Sequence, residues 1–296
     1  MENITKCFVC GGSELQPFIN CKDYTVSKSD FNIVSCKTCG FKFTNPRPDV
    51  TEIGKYYESD DYISHSDSGK GIVNSLYKLV RNYTINKKVN LVDSFTKDKT
   101  ILDIGCGTGT FLNACNKSGW MARGLEPSEN ARKFALNTYK LEIKAENELS
   151  KLPNKSFSII TMWHVLEHVN LLNERIEELN RLLKDDGTII IAVPNCNSYD
   201  ANYYKEFWAA YDLPRHLYHF TPDSIEKLLK KHNLKILKKL PMVFDSYYVS
   251  LLSEKYKTGK TNLIKAILTG FRSNLKAGRD INTFSSIIYI IKKEKI

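Results

Sequence analysis

A glycine-rich turn is the part of the sequence best suited to hold a ligand. An apolar run at residues 101–104 leads into Gly105, Gly107 and Gly109, and a helix-like pattern follows. Glycine lets a chain turn sharply and lets its backbone approach a ligand where a Cβ atom would collide. Asp103, two residues before the first glycine, would attract a ligand with an ammonium group and would not help a pyrophosphate. The glycines also lack the spacing of the NAD fingerprint, so a nicotinamide cofactor is not favoured.

Two cysteine pairs form a second group of residues that could do chemistry. Cys7 and Cys10 make one C-x-x-C motif, and Cys36 and Cys39 make another after 25 intervening residues. Four thiolates from two tight turns can close a tetrahedral Zn²⁺ site, which would be structural because no coordination position stays open. A redox pair is the alternative interpretation, but it needs no second pair. A disulfide framework is not expected in a cytosolic chain.

The segments around the glycine turn alternate between strand and helix patterns, which is typical of a parallel sheet with crossover helices. The patterns predict strands at 100–104, 122–125, 158–162 and 188–193, and helices at 109–118, 128–139 and 171–183. They also predict helices at 72–95 and after Thr221, and strands at 234–240 and 284–291. The expected fold is α/β, with a Rossmann-like, doubly wound, seven-stranded sheet.

Composition divides the chain into three parts. Residues 1–45 are expected to form a zinc-binding, ribbon-like module, and residues 46–95 a linker and helical lid. Residues 96–296 are expected to form the ligand-binding domain, with lid insertions at 196–220 and 244–283. A lid of this kind would exclude water from a pocket at the carboxyl ends of the parallel strands.

The net charge of +10 is concentrated near the C-terminus, where residues 226–296 hold 16 Lys/Arg and 5 Asp/Glu. Such a surface could attract nucleic acid, phosphorylated substrates or anionic lipid, or could be a solvated lysine-rich face. No apolar run approaches the ~20 residues needed to span a bilayer. The N-terminus has no secretory signal pattern. We therefore expect a cytoplasmic protein with no membrane span.

Four ordered motifs resemble those of the class I S-adenosylmethionine-dependent methyltransferases. They are L-D-I-G-C-G-T-G at 102–109, G-L-E-P at 124–127, E-N-E at 146–148 and the W-H-V-L-E-H-V run at 163–169. In this family a carboxylate like Glu126 accepts hydrogen bonds from both ribose hydroxyls. The resemblance implies a cofactor site formed by Asp103, Gly105, Cys106, Gly107, Gly109, Glu126, Pro127, Glu146, Asn147, Glu148, Trp163 and His164.

The turn after the fourth strand excludes some methyl acceptors. Enzymes that methylate exocyclic amines resemble one another in a [DNS]-P-P-[YF] motif, but residues 162–165 read Met-Trp-His-Val. Methylation of RNA cytosine at C5 needs a nucleophilic cysteine after that strand, and none lies there. An oxygen or a carbon of a small molecule is therefore the expected acceptor.

Closer resemblances concern the flanking segments. Residues 7–65 resemble the zinc-binding N-terminal part of sugar C-methyltransferases, and residues 212–220 resemble a histidine-containing segment of that family. By this resemblance His216 matches a catalytic histidine and Tyr62 an active-site tyrosine. Arg215 stands where that family has a glutamate. The core alone resembles the ubiquinone-type O-methyltransferases equally well.

The sequence therefore predicts a methyltransferase that uses S-adenosyl-L-methionine and carries a structural Zn²⁺ ion. His168 and His216 are the candidate bases that would take a proton from the acceptor. One alternative is an RNA methyltransferase whose zinc ribbon and basic C-terminal region bind RNA. A second alternative is a non-catalytic scaffold that keeps the cofactor fold. The chain is expected to be a monomer or a homodimer.

Overall fold

The computed structural model describes residues 1–57 and 72–294, with side chains omitted for 72–79 at the start of the first long helix. Tyr62 lies outside the described residues. The strands are β1 (Leu15–Lys22), β2 (Asp30–Cys36), β3 (Lys42–Thr44), β4 (Thr100–Ile104), β5 (Met121–Leu125), β6 (Phe157–Trp163), β7 (Leu183–Pro194), β8 (Tyr218–His219), β9 (Leu234–Pro241) and β10 (Ser286–Lys293). The α-helices are α1 (Ile72–Asp93), α2 (Thr110–Lys117), α3 (Glu129–Tyr139), α4 (Leu172–Leu182), α5 (Tyr199–Tyr204), α6 (Pro222–Lys231), α7 (Asp245–Thr258) and α8 (Leu263–Ala277).

The larger sheet has the strand order β5-β4-β6-β7-β10-β9. Strands β5, β4, β6 and β7 run parallel, whereas β10 is antiparallel to both of its neighbours. Crossover helices between consecutive parallel strands make this a Rossmann-like, doubly wound sheet, so the predicted fold class is confirmed.

The described part of the chain forms six strands in this sheet, one fewer than expected. The seventh position is occupied by a single parallel bridge between Leu125 and Lys144. Lys140 ends α3 in a left-handed conformation, and a 3₁₀ helix begins at Glu146. Five residues lie between those two points, as many as in β4 or β5, but among the described residues only Lys144 pairs with the end of β5.

The central strands are buried on both faces, as parallel strands between helix layers must be. All residues of β6 except Trp163 are buried. The side chains of Ser128 and Thr221 cap α3 and α6 by accepting hydrogen bonds from the backbone of the first turn. These caps satisfy donors that a helix leaves unpaired, and they explain why both helices begin where the sequence predicted them.

The smaller sheet has the order β1-β2-β3-β8 and joins distant parts of the chain. Strand β8, from residues 218–219, pairs with β3 of the N-terminal module. Phe41, Phe43 and Tyr218 are almost fully buried together in the main core. The sheet of the N-terminal module, residues 1–45, is therefore completed by a strand from residues 196–220, which the sequence analysis assigned to a lid insertion.

The C-terminal insertion consists of α7 and α8, which cross at close range. A Cβ atom on Gly270 of α8 would lie 2.9 Å from Cα of Tyr247 in α7. Buried Asp200 of α5 ties this insertion to the core, since it accepts hydrogen bonds from Trp208, Ser273 and Ser285. No helix in the described ranges has the length and apolar character needed to cross a bilayer.

Candidate functional site

The glycine turn is held open by hydrogen bonds to the end of β5. The backbone N–H groups of Gly105 and Cys106 both donate to the carbonyl oxygen of Leu125. The Glu126 carboxylate accepts from the N–H of Gly107 at 2.8 Å and from the N–H of Ser128 at 2.9 Å. Each oxygen of Glu126 has a further lone pair, so the carboxylate can also accept from a ligand hydroxyl.

The space around the turn fits a bound ligand. Gly107 has a φ of +54°, and a Cβ atom built there would meet nothing within 4 Å. Gly105 is different, because its Cβ atom would lie 2.4 Å from Cγ2 of Val165, in the loop after β6. One glycine therefore lets the turn pack on the protein, and the other leaves room for a ligand close to the backbone.

Asp103 lies beneath the turn as a buried carboxylate. It accepts a hydrogen bond from the Thr161 hydroxyl at 2.5 Å. Burial raises the pKa of Asp103 to about 7, although that hydrogen bond and the charge of Lys88 both favour the carboxylate form. A carboxylate short of countercharge suits the ammonium group that the sequence predicted here.

Helix α1 adds two cations that the sequence interpretation did not identify. Arg81 donates to the Thr110 hydroxyl at 2.7 Å, beside the last glycine of the turn. The Lys88 ammonium lies 4.0 Å from the ring centroid of Trp163, and burial lowers its pKa. These residues are seven positions apart, so they share a helix face. A pair of basic residues with this spacing, just before β4, was the sequence signal that could have identified them.

The E-N-E motif at 146–148, predicted to form part of the cofactor site, follows the bridge between Leu125 and Lys144. Glu146 forms an ion pair with Arg175, and Glu148 forms one with Lys151. The carboxylates of this motif are thus engaged by basic side chains. Asn147, between these two carboxylates, is exposed. The Pro127 carbonyl accepts a hydrogen bond from Arg132 at 2.7 Å.

His164 is held between two carboxylates directly after β6. Its backbone has a φ of +57°, unusual for a residue with a side chain. Nε2 lies 3.0 Å from Oδ2 of Asp245 in α7, and Nδ1 lies 3.4 Å from Oε1 of Glu167. Burial opposes a charge on this ring, but Asp245 and Glu167 together raise the pKa of His164 to about 10. His164 is therefore an imidazolium that ties the insertion to the site.

Glu167, His168 and His216 form a cluster next to His164, which contacts it through Glu167. One ligand atom from each lies within 4.8 Å of the others, and the two imidazole centroids are 4.5 Å apart. Both carboxylate oxygens of Glu167 are buried and accept no hydrogen bond from the described part of the chain. His168 Nδ1 lies 2.9 Å from the hydroxyl of Tyr57. One carboxylate and two imidazoles could move a proton or hold a divalent cation.

His216 has a defined tautomer. Its Nδ1 lies 2.9 Å from the carbonyl oxygen of Ala210, which can only accept, so Nδ1 carries the proton. Burial, and then the neighbouring His168, hold the pKa of His216 well below its usual value. The ring is therefore neutral, and Nε2 has a free lone pair 3.9 Å from Oδ2 of Asp212.

Arg215 occupies a structural position beside this histidine. Its guanidinium is buried and pairs with Asp212 at 2.5 Å and with Asp23 of the N-terminal module at 3.5 Å. It also donates to the carbonyl oxygen of Tyr56. Arg215 therefore links the N-terminal module to the segment that carries His216. We assign it a structural role and no role in proton transfer.

The four paired cysteines come together at one end of the smaller sheet. Their Sγ atoms all lie within 4.8 Å of one another, and the Cys7–Cys39 and Cys10–Cys36 distances are both 3.5 Å. Zn–S bonds of about 2.3 Å in a tetrahedron place sulfurs ~3.8 Å apart. The residue set therefore fits a structural Zn²⁺ ion.

These features define a Rossmann-like domain with a glycine turn after its first strand and a carboxylate, Glu126, after the second. The sequence profile of the methyltransferase domain family matches residues 78–239, which is more than half of the chain. The chain belongs to this family. The sequence-based identification as a class I S-adenosylmethionine-dependent methyltransferase is thereby confirmed.

Individual relatives match part of the chain. An uncharacterised protein of Methanocaldococcus jannaschii is 37% identical over 145 residues, which cover 45% of this chain and 56% of that protein. A ubiquinone biosynthesis O-methyltransferase of Pelagibacter ubique is 32% identical over 114 residues, or 36% of this chain and 47% of that enzyme. The chain thus spans about half the length of the curated relatives it matches.

A solved structure shares the fold. The geranyl diphosphate C-methyltransferase of Streptomyces coelicolor superposes with a TM-score of 0.50 at 14% identity, covering 70% of this chain and 76% of that chain. At this level of identity the likeness concerns the fold alone.

Proposed function

We propose that this chain transfers a methyl group from S-adenosyl-L-methionine to an oxygen or carbon atom of a small molecule. When bound, S-adenosylmethionine supplies an electrophilic methyl group. The observation that carries the proposal is the buried His216, which forms a cluster with Glu167 and His168 and whose Nδ1–H donates to the Ala210 carbonyl, so that Nε2 is the unprotonated nitrogen.

The residues of the glycine turn fit the two ends of this cofactor. Asp103 would neutralise its ammonium group, and Glu126 would accept hydrogen bonds from the ribose hydroxyls. Arg81 and Lys88 place positive charge beside the turn, where the carboxylate of the aminoacyl end would lie. The open space at Gly107 lets the backbone approach the ligand closely.

The acceptor-side residues divide the work of proton removal. His216 Nε2 would accept the acceptor proton as the methyl group is transferred, and Asp212, 3.9 Å away, would stabilise the imidazolium that results. The Ala210 carbonyl keeps the ring in the tautomer that has this lone pair. His164, fixed as a cation between Asp245 and Glu167, would position the loop and is not a base at neutral pH.

The small-molecule proposal is supported by the enclosure of the site. His216 is only 8% exposed, its backbone carbonyl accepts a hydrogen bond from Thr44 of the N-terminal module, and its ring contacts His168. A macromolecular acceptor would need an open groove at this point. The structural Zn²⁺ ion held by Cys7, Cys10, Cys36 and Cys39 is also a proposal, and it would serve to hold the module in place.

The test follows a labelled methyl group from S-adenosylmethionine into cell-extract fractions. We expect label in the dialysable small-molecule fraction and none in the RNA fraction. In His216→Ala, methylation should fall by more than about tenfold, with cofactor affinity within about twofold of the wild type. His232→Ala is the matched control, because His232 is also 8% exposed but lies at the end of α6.

Label in RNA would contradict the small-molecule assignment. Unchanged turnover in His216→Ala, with His232→Ala behaving alike, would remove His216 from the mechanism. Failure of the wild-type chain to bind S-adenosylhomocysteine in a calorimetric titration would contradict methyl transfer altogether.

A further inference from the structure

Helix α8 is oriented with its large apolar side chains outward. Its buried face carries small residues: Ala266, Thr269, Gly270, Ser273 and Ala277. Its opposite face carries large ones, which are between 48% and 74% exposed: Ile264, Ile267, Leu268, Phe271 and Leu275. A surface helix normally buries its large apolar residues against the core. Here five of them share an arc of about 100° that faces solvent.

The small residues explain why α8 stays in this orientation. Gly270 packs against the backbone of Tyr247, where a Cβ atom would lie 2.9 Å from Cα. The Asn274 side chain donates to the carbonyl of Val243 at 2.9 Å. Rotating the helix to bury Phe271 would place bulky side chains in this tight crossing. The exposed apolar face is thus built into the packing of α7 and α8.

Basic residues accompany this face. Residues 255–279 contain seven Lys/Arg and no Asp/Glu. At 100° per residue, Lys265, Arg272 and Lys276 lie along one edge of the apolar stripe. Arg272 and Lys276 are exposed, whereas Lys265 is half-buried and pairs with the buried Glu254 at 3.4 Å. An apolar stripe bordered by a row of cations matches the two layers of an anionic bilayer surface, acyl chains beneath phosphates.

We propose that α8 docks the protein on an anionic membrane surface. The apolar stripe would insert at the boundary of headgroups and acyl chains, and the bordering cations would contact lipid phosphates. The helix would lie in the plane of the interface. A second copy of this chain is a poorer occupant, because residues 255–279 would offer it the same cations and no carboxylate.

Vesicle co-sedimentation of the full chain tests this proposal. We expect binding to vesicles of phosphatidylcholine mixed with phosphatidylglycerol, and at least tenfold weaker binding to phosphatidylcholine alone. The variant Ile267→Gln/Phe271→Gln/Leu275→Gln should lose more than tenfold in binding. Arg272→Glu/Lys276→Glu should lose most of the preference for phosphatidylglycerol.

The matched control is Met121→Gln/Leu171→Gln, which removes equally exposed apolar side chains elsewhere on the surface and should bind as the wild type does. All of the altered positions are exposed, and binding of S-adenosylhomocysteine checks that each variant is folded. Wild-type protein that does not bind anionic vesicles would overturn the proposal. So would a concentration-dependent dimer that the glutamine variant abolishes while vesicle binding is unaffected.

Discussion

The cofactor side and the acceptor side of the proposed site are built in different ways. The cofactor side is made mostly of backbone from one continuous stretch, residues 103–128, with the Glu126 carboxylate holding the glycine turn. The acceptor side is made of side chains from four distant segments, represented by Tyr57, Glu167, His216 and Asp245. The first depends on local conformation, and the second depends on how the whole chain is assembled.

This difference separates binding from specificity. A backbone cradle can accept a common cofactor whatever surrounds it, because N–H groups and glycines do not change with the acceptor. The acceptor side gains its chemistry from loops and insertions that a scaffold can exchange. Perturbations of the glycine turn should therefore abolish cofactor binding, whereas perturbations of the insertions and the module should reduce turnover only.

The largest expected effect comes from Gly105→Ala. The added Cβ atom would meet Cγ2 of Val165 at 2.4 Å, in a residue whose φ is already +69°. We expect the Kd for S-adenosylhomocysteine, measured by calorimetry, to rise on the order of a hundredfold, or about 2.7 kcal/mol. Gly119→Ala is the control, since Gly119 has a φ of +83° but open space around its Cβ position.

The control separates the free-energy cost of backbone strain from the cost of the steric collision. Both substitutions impose a left-handed conformation on alanine, at roughly 1 kcal/mol, but only Gly105→Ala adds a collision with the loop that carries Trp163 and His164. Equal affinity losses in the two variants would mean that backbone strain, and not the packing of the turn, governs the cofactor side.

The next prediction concerns the N-terminal module, which contacts the segment that carries His216. Thr44 of β3 donates from its hydroxyl to the His216 carbonyl at 2.7 Å, and from its N–H to the Leu217 carbonyl at 3.0 Å. Loss of the metal should therefore displace His216. For Cys36→Ser we expect loss of bound zinc, turnover at least about tenfold lower, and cofactor affinity within about twofold.

Cys21→Ser provides the comparison, because Cys21 is also buried in the module but lies outside the four-cysteine cluster. It should keep its zinc, as measured by elemental analysis, and most of its turnover. A loss of cofactor binding in Cys36→Ser equal to the loss of turnover would show that the two sides are not separable.

What the sequence could predict follows the same division. The strand at 100–104 and the glycine turn were identifiable because apolar runs and glycine spacing are local signals. The cysteine cluster was equally accessible, since C-x-x-C spacing fixes the geometry of each half. The resemblance to known families also singled out His168 and His216, although it could not show that Glu167 joins them.

The parts that could not be predicted depend on long-range packing. Asp245 lies 81 positions after its partner His164, on a helix that the sequence described only as part of an insertion. Strand β8 has two residues, too short to carry a strand pattern, yet it completes the sheet of the N-terminal module. The predicted seventh strand was wrong, since the described chain pairs there only through the single bridge between Leu125 and Lys144.

The smallest expected effect is a pH dependence that belongs to the cofactor side. Burial raises the pKa of Asp103 to about 7, so the free protein holds a proton there below that pH. A bound ammonium group requires the carboxylate form, and binding must therefore release this proton. Affinity for S-adenosylhomocysteine should be highest above pH 7 and fall by up to about tenfold per pH unit below it.

Asp103→Asn isolates this group from the others that titrate. His164, with its pKa raised to about 10, and His216, with its pKa held well below the usual value, keep one charge state each between pH 6 and 8. The asparagine variant should bind more weakly at pH 8 and show an affinity that no longer varies with pH. If the wild-type slope persists in Asp103→Asn, the ammonium group is bound elsewhere, and the cofactor side is not the backbone-and-carboxylate cradle inferred from residues 103–128.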